Sequence, residues 1–114
     1  ATIQLIMKEN IDKMLKFFSC LSDQTRLKIV LCLLEQPRTV TQIHEYLSKD
    51  KLTLSAISHQ LTLLNNLEII QFQKQGRSKT FQLSDKFCWC ILRNALGHFK
   101  NKNHCQACIE LKNN

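Results

Sequence analysis

Six cysteines in a chain of 114 residues are a heavy load of thiol chemistry, and four of them crowd towards its end. Cys105 and Cys108, preceded by His104, have the C-x2-C spacing that chelates a metal in a loop or a helical turn. One such pair is half of a tetrathiolate site, so further ligands are needed, and Cys90 and Cys88 are the candidates within the chain. Three thiolates suit As(III) or a soft ion such as Cd, and Zn also takes sulfur ligands. Two tail thiols near a third equally suit disulfide formation on oxidation. Spacing leaves metal or metalloid binding, thiol redox and no sensing role all open. If residues 87–100 are helical, Cys88 and Cys90 point about 200° apart, at roughly 100° per residue, and do not chelate one ion together. Cys88 then lies on an apolar stripe, where a packed thiol is the plainer reading. Cys20 and Cys32 fall within apolar helical stretches and read as small buried hydrophobes.

A second set of residues suits a polymer rather than an ion. Between Leu54 and Leu67 there is no charged residue, and the outward positions of that segment are Ser55, Ser58, His59, Thr62, Asn65 and Asn66. A solvent-facing helix normally carries Lys and Glu. Small hydroxyls and an imidazole, with Thr53 and Ala56 at the start of the segment, instead suit a surface that reads base edges. The competing reading is a protein interface, which also avoids charge at its centre. Cations are supplied close by, at Lys74, Arg77 and Lys79. The formal net charge is +7, and residues 69–114 hold eight Lys/Arg against two Asp/Glu. A basic balance confined to part of a small domain points to a phosphate-bearing partner.

The elements that must position these residues follow from the hydrophobic period. Met7, Ile11, Met14 and Phe18 mark a first helix. Ser22 or Asp23 caps a second, striped by Leu27, Val30, Leu31 and Leu34 and stopped by Pro37. Thr39 with Gln42 is a capping box that opens a short third helix through Leu47. A polar connection over Ser48–Leu52 leads to a fourth helix, about Thr53 to Leu67, with Leu54, Ile57, Leu61, Leu64 and Leu67 inward. The period then changes to two. Ile70 and Phe72, and Phe81 and Leu83, flank Lys74-Gln-Gly-Arg-Ser-Lys79, which is a β-hairpin with a cationic tip. Ser84 or Asp85 starts a fifth helix, with Cys88, Ile91, Leu92, Ala95, Leu96 and Phe99 on one stripe. The expected fold is mostly α with a small β-hairpin, a winged helix-turn-helix, dimeric. Residues 1–100 form the DNA-binding and dimerisation domain, and residues 101–114 a Cys/His-containing tail.

Composition narrows the function classes. Gly 2 and Pro 1 are too few for a turn-rich sandwich or barrel. With only Gly76 and Gly97 there is no phosphate-cradling loop, and no Ser/His/Asp or paired-carboxylate constellation occurs, so an enzyme is not expected. No apolar run approaches the ~18 residues of a membrane span. Ala1–Met7 lacks the basic lead and cleavage site of an export signal, so the chain reads as cytoplasmic and its cysteines as thiols or ligands rather than a disulfide scaffold.

Three runs are similar to a known family. Leu21-Ser-Asp-Gln-Thr-Arg-Leu-Lys-Ile-Val, Leu54-Ser-Ala-Ile-Ser-His-Gln-Leu-Thr-Leu-Leu and Gln75-Gly-Arg-Ser-Lys-Thr-Phe-Gln-Leu-Ser-Asp85 resemble the ArsR/SmtB family of bacterial repressors, over roughly residues 15–100. The connection at Lys49–Leu52 is about two residues longer than the family's. The resemblance implies a homodimer, paired through the fifth helix, that represses by binding an imperfect palindrome in double-stranded DNA. It implies release by a metal, a metalloid or a thiol-oxidising species. The family's thiol site on the third helix falls on Thr39-Val40-Thr41, where both thiols are missing. Its zinc site on the fifth helix falls on Asp85 and His98, but Phe87 and Asn101 fill the other positions, and two ligands of four do not close a tetrahedral site. Asp85 has a simpler role as a helix cap. Cys32 lies one residue from the thiol of persulfide-sensing relatives, so Cys32, Cys105 and Cys108 form the redox alternative to a metal site at Cys105, Cys108, Cys90 and Cys88, with the dimer partner a further source of ligands. The rival from a different class is a protein-interaction module that has kept the fold and lost DNA binding.

Overall fold

The computed structural model describes residues 2–100. Helix α1 spans Ile3–Leu21 and starts at Thr2, whose hydroxyl accepts the Leu5 N–H at 3.3 Å. Helix α2, Gln24–Glu35, is capped by Asp23, whose carboxylate accepts the Arg26 N–H at 3.0 Å. Pro37 removes the next donor and ends the helix, leaving carbonyls in its last turn without partners of their own. Two arginines supply them. The buried Arg38 donates from Nε to the Cys32 carbonyl at 3.2 Å, and Arg93, distant in sequence, donates from Nη2 to the Leu34 carbonyl at 3.2 Å. Arg38 also pairs with Glu35 at 3.2 Å and lies 4.3 Å over the Tyr46 ring.

The Thr39 capping box forms as expected: Thr39 Oγ1 accepts the Gln42 N–H, and the Gln42 side chain accepts the Thr39 N–H. It opens α3, Val40–Tyr46. The polar connection contains a 3-10 turn, Ser48–Asp50, which Lys28 ties to α2 through a 2.6 Å bond to Asp50. Helix α4 is Leu54–Asn66, and the hairpin strands are β2, Ile70–Gln75, and β3, Ser78–Leu83. Gly76, at φ 62°, makes the turn between them.

Core packing explains why α4 sits where it does. Ile57, Leu61 and Leu64 repeat at four and three residues and are essentially buried against Ile29, Val30, Ile43 and Ile70. Each such side chain contributes about 1.5–3 kcal/mol on leaving water. Leu54 and Leu67 share that period but are 46% and 45% exposed, because the helix ends overhang the core. The expectation of five inward residues is therefore corrected to three.

Two further features depart from the sequence reading. A third strand, β1, Arg38–Thr39, pairs antiparallel with β3 at Phe81 and Thr80, giving a sheet of order β1-β3-β2. And α5 is Cys90–Lys100, not a helix from Ser84 or Asp85. Trp89 supplies its first carbonyl, accepting the Leu92 and Arg93 N–H groups at 3.1 and 3.2 Å. Asp85 is thus not the cap of α5. It lies in a turn where Ser84 Oγ accepts the Lys86 N–H at 3.1 Å and the Trp89 indole donates to the Ser84 carbonyl at 2.7 Å. Phe87 and Trp89 stack on Phe17 of α1, with ring centroids 5.3 and 5.7 Å away.

Candidate nucleic-acid interface

Burying Ile57, Leu61 and Leu64 turns the opposite side of α4 to solvent, and with it the uncharged set. Ser55, Ala56, Ser58, His59 and Thr62 are all exposed. Thr53 caps the helix by accepting the Ala56 N–H at 3.0 Å. Thr62 donates to the Ser58 carbonyl at 3.1 Å, and this leaves its oxygen lone pairs free towards solvent.

The hairpin brings its cations to the same side. Arg77, Ser78 and Lys79 line one cleft of about 440 Å³ with Thr39 and Thr41 of the α3 end and with Ser58 and Thr62 of α4. Four residues expected to contact DNA, Ser58, Thr62, Arg77 and Lys79, therefore meet in one place. Thr41 and Ser78 join them and were missed by sequence reasoning. The capping box at Thr39 already set Thr41 in the first turn of α3, but only the tertiary packing brings that turn to the wing.

The electrostatics of the hairpin favour an anion. Lys74 stands directly opposite Lys79 in the β2–β3 register. Like charges facing across a strand pair are destabilising, so nothing in the folding of the hairpin calls for them. Lys79 is held 4.6 Å over the Phe72 ring, and among the described residues Lys74, Arg77 and Lys79 enter no ion pair. Lys86, by contrast, is taken up by Glu68 at 2.7 Å, which holds the Glu68 carboxyl below its ordinary range.

The cysteines divide by exposure. Cys20 and Cys32 are buried in the core, as expected. Desolvation raises both thiols, that of Cys32 to about 11 in spite of the Arg38 charge beside it. A thiol so held is protonated and a poor nucleophile at neutral pH. Cys88 and Cys90 are exposed and joined by a disulfide. This corrects the helical geometry expected for them: Cys88 precedes α5, so the two sulfurs meet rather than diverge. Cys105 and Cys108 lie outside the described residues. Asp85 and His98 are exposed, and among the described residues no group of three His, Cys, Asp or Glu side chains gathers as a metal site would require. The described donors do not by themselves fit a metal ion.

A buried three-helix core that presents an uncharged helix beside a cationic β-wing defines a winged helix-turn-helix protein. Comparison with known proteins agrees. The family model described as bacterial regulatory protein, arsR family, matches residues 23–71. The chain is 32% identical over 94 residues to the cadmium resistance transcriptional regulatory protein CadC homolog of Staphylococcus aureus, spanning 82% of this chain and 75% of that one. It is 25% identical over 100 residues to the transcriptional repressor SmtB homolog of Synechocystis sp., spanning 88% and 74%. Among solved structures, HlyU from Vibrio cholerae superposes with a TM-score of 0.73 at 20% identity, covering 83% of this chain and 100% of that one. A homodimeric winged helix-turn-helix DNA-binding domain from Mycobacterium bovis gives 0.67 at 15% identity, covering 87% and 92%. The chain belongs to the arsR family and is a transcriptional regulator, not an enzyme. Among the described residues no helix is long and apolar enough to cross a membrane.

Proposed function

We propose that this regulator is a repressor that binds an imperfect palindrome in double-stranded DNA as a homodimer. The observation that carries the reading is the cleft where hydroxyls of α3 and α4 meet the unpaired cations of the wing. There Ser58 and Thr62 of α4 read base edges and Arg77 and Lys79 hold phosphates. His59, Thr53, Ser55 and Ala56 extend the reading surface along α4, and Lys74 adds a further cation on the wing. Pairing is supported by the apolar residues that α1 and α5 leave in solvent, among them Ile3, Leu15, Phe18, Ile91 and Phe99. The relative from Mycobacterium bovis is described as homodimeric.

Release is by a species that acts on cysteine thiolates. In the first form of the reading this is a metal or metalloid ion such as As(III), Zn or Cd, held by Cys105 and Cys108 with Cys90 and Cys88 once their bridge is reduced, or with thiolates of the dimer partner. The name of the Staphylococcus relative, a cadmium resistance regulator, supports it. A second reading, release by thiol oxidation, is favoured by the Cys88–Cys90 bridge itself. Cys32 is the least suited of the redox candidates, being fully buried with a raised thiol.

A gel shift with the protein's own upstream DNA tests the reading. Specific binding that weakens steeply with salt is expected, because each phosphate contact releases counterions. Salt-independent binding, or none in any thiol state, would leave a protein-interaction module as the better account. Sedimentation showing a stable monomer at micromolar concentration would remove the palindrome.

A further inference from the structure

The start of α5 coincides with the bridged pair. Side chains two residues apart on a helix point about 200° from each other, so a bond between Cys88 and Cys90 is incompatible with both lying in one helix. The sequence provides for a longer helix: Ser84 and Asp85 are good caps, and Cys88 continues the stripe of Ile91, Leu92 and Leu96. In the structure Cys88 stands outside it. The bridge spans a single intervening residue, so it removes little freedom from the unfolded chain and has small value as a staple. Both cysteines are exposed, which leaves them open to small oxidants and reductants.

We propose that Cys88 and Cys90 are a reversible oxidation site that sets the length of α5. Bridged, the helix starts at Cys90. Reduced, it starts at Asp85, gains about 7.5 Å over five residues, and returns Cys88 to the apolar face through which the subunits pair. This rests on the reading of the chain as a dimeric DNA-binding regulator, and it makes the bridged form the released one. The oxidant is a low-molecular-weight disulfide. The thiolate of one cysteine attacks it, forming a mixed disulfide and expelling one small thiolate. The thiolate of the other then attacks the protein sulfur of that mixed disulfide and expels the second. Two protein thiols are oxidised to one bridge, one small disulfide is reduced to two thiols, and the two protons pass to the leaving thiolates.

Trp89, the one tryptophan of the chain, is the residue between the two cysteines in sequence and is tied to the Ser84 carbonyl through its indole. It therefore reports the change. The full chain carrying Cys105→Ser/Cys108→Ser is treated with dithiothreitol or with glutathione disulfide. Trp89 emission, the dimer dissociation constant by sedimentation, and affinity for the upstream DNA are then measured. The bridged form is expected to shift the emission, weaken the dimer, and bind DNA roughly tenfold or more less tightly, within the ~10⁴-fold of a complete switch. Cys88→Ser/Cys90→Ser in the same background is expected to behave as the reduced form under either treatment. Equal emission and equal dimerisation in the two states overturn the proposal, as does unchanged DNA affinity in a protein that binds. A Cys88→Ser/Cys90→Ser protein that still responds to glutathione disulfide overturns it too. If emission and dimerisation shift while neither form binds DNA, the DNA-binding reading fails and the oxidation site stands.

Discussion

Removing the Arg77 guanidinium is the most direct probe of the wing. Arg77 follows Gly76 at the hairpin turn, is exposed, and enters no ion pair among the described residues. Arg77→Ala should therefore leave the melting temperature unchanged, and any effect on DNA is a binding effect. One phosphate contact contributes about 0.9 to the slope of log K against log salt, so losing it flattens the slope by that amount. Between roughly 50 and 200 mM salt the variant should then lose about 3.5-fold less affinity than the parent. The loss should be the same for the native site and for scrambled DNA, because a phosphate contact carries no sequence information. Fluorescence anisotropy at four salt concentrations, on both DNAs, measures slope and specificity together. Unchanged affinity and slope would refute the assignment of the hairpin as a DNA wing. A loss confined to the native site would mean that Arg77 reads a base.

Ser58→Ala and His59→Ala should instead weaken the native site by about 1–3 kcal/mol per lost base-edge contact and relax sequence preference, as competition with single-base variants would show. Ile57→Ala, at a fully buried position, should cost about 2–5 kcal/mol in urea unfolding, and a value under ~1 would disprove its place in the core. Arg38→Met strips the buried Cys32 carbonyl of its donor and should cost about 1–3 kcal/mol by the same assay. The Cys32 thiol is raised from 9.0 to about 11, so the folded state favours its protonated form. That contribution is intact below the ordinary thiol range and is lost as pH rises through about 11; thermal melts across this window should fall less steeply for Cys32→Ala than for the parent. Cys105→Ser/Cys108→Ser should bind DNA normally and lose any response to As(III) or soft divalent ions, and a retained response in a gel shift would move the metal site off the tail.

Short-range grammar made much of this fold legible. Asp23 and Thr39 announce helix starts through bonds to N–H groups three residues on, and Pro37 ends α2 by lacking a donor. None of this needs tertiary knowledge. The change of period after Leu67 likewise marks the hairpin, and the absence of charge from Leu54 to Leu67 marks the candidate interface. What escaped depends on distant partners. Two residues, Arg38 and Thr39, are too few to show an alternating pattern, and become a strand only because Phe81 and Thr80 are there to pair. Thr41 and Ser78 enter the cleft through packing of α3 against the wing. Periodicity places Cys88 on the stripe of α5, whereas contacts of Ser84, Phe87 and Trp89, the latter two with Phe17 of α1, hold the chain before Cys90 in a turn.

Strand β1 meets β3 only at Phe81 and Thr80, midway along the hairpin. Beyond that point Lys74–Lys79 has no third strand to lie against, and its side chains support no part of the core. The hairpin is thus a cantilever, clamped at one end and loaded at the other. Mutations in the overhang should change how firmly the regulator grips its site without changing whether it folds. Selection can then tune the strength of DNA binding at the tip almost independently of the rest of the chain, and an engineer wishing to graft a tighter or looser grip would work there first.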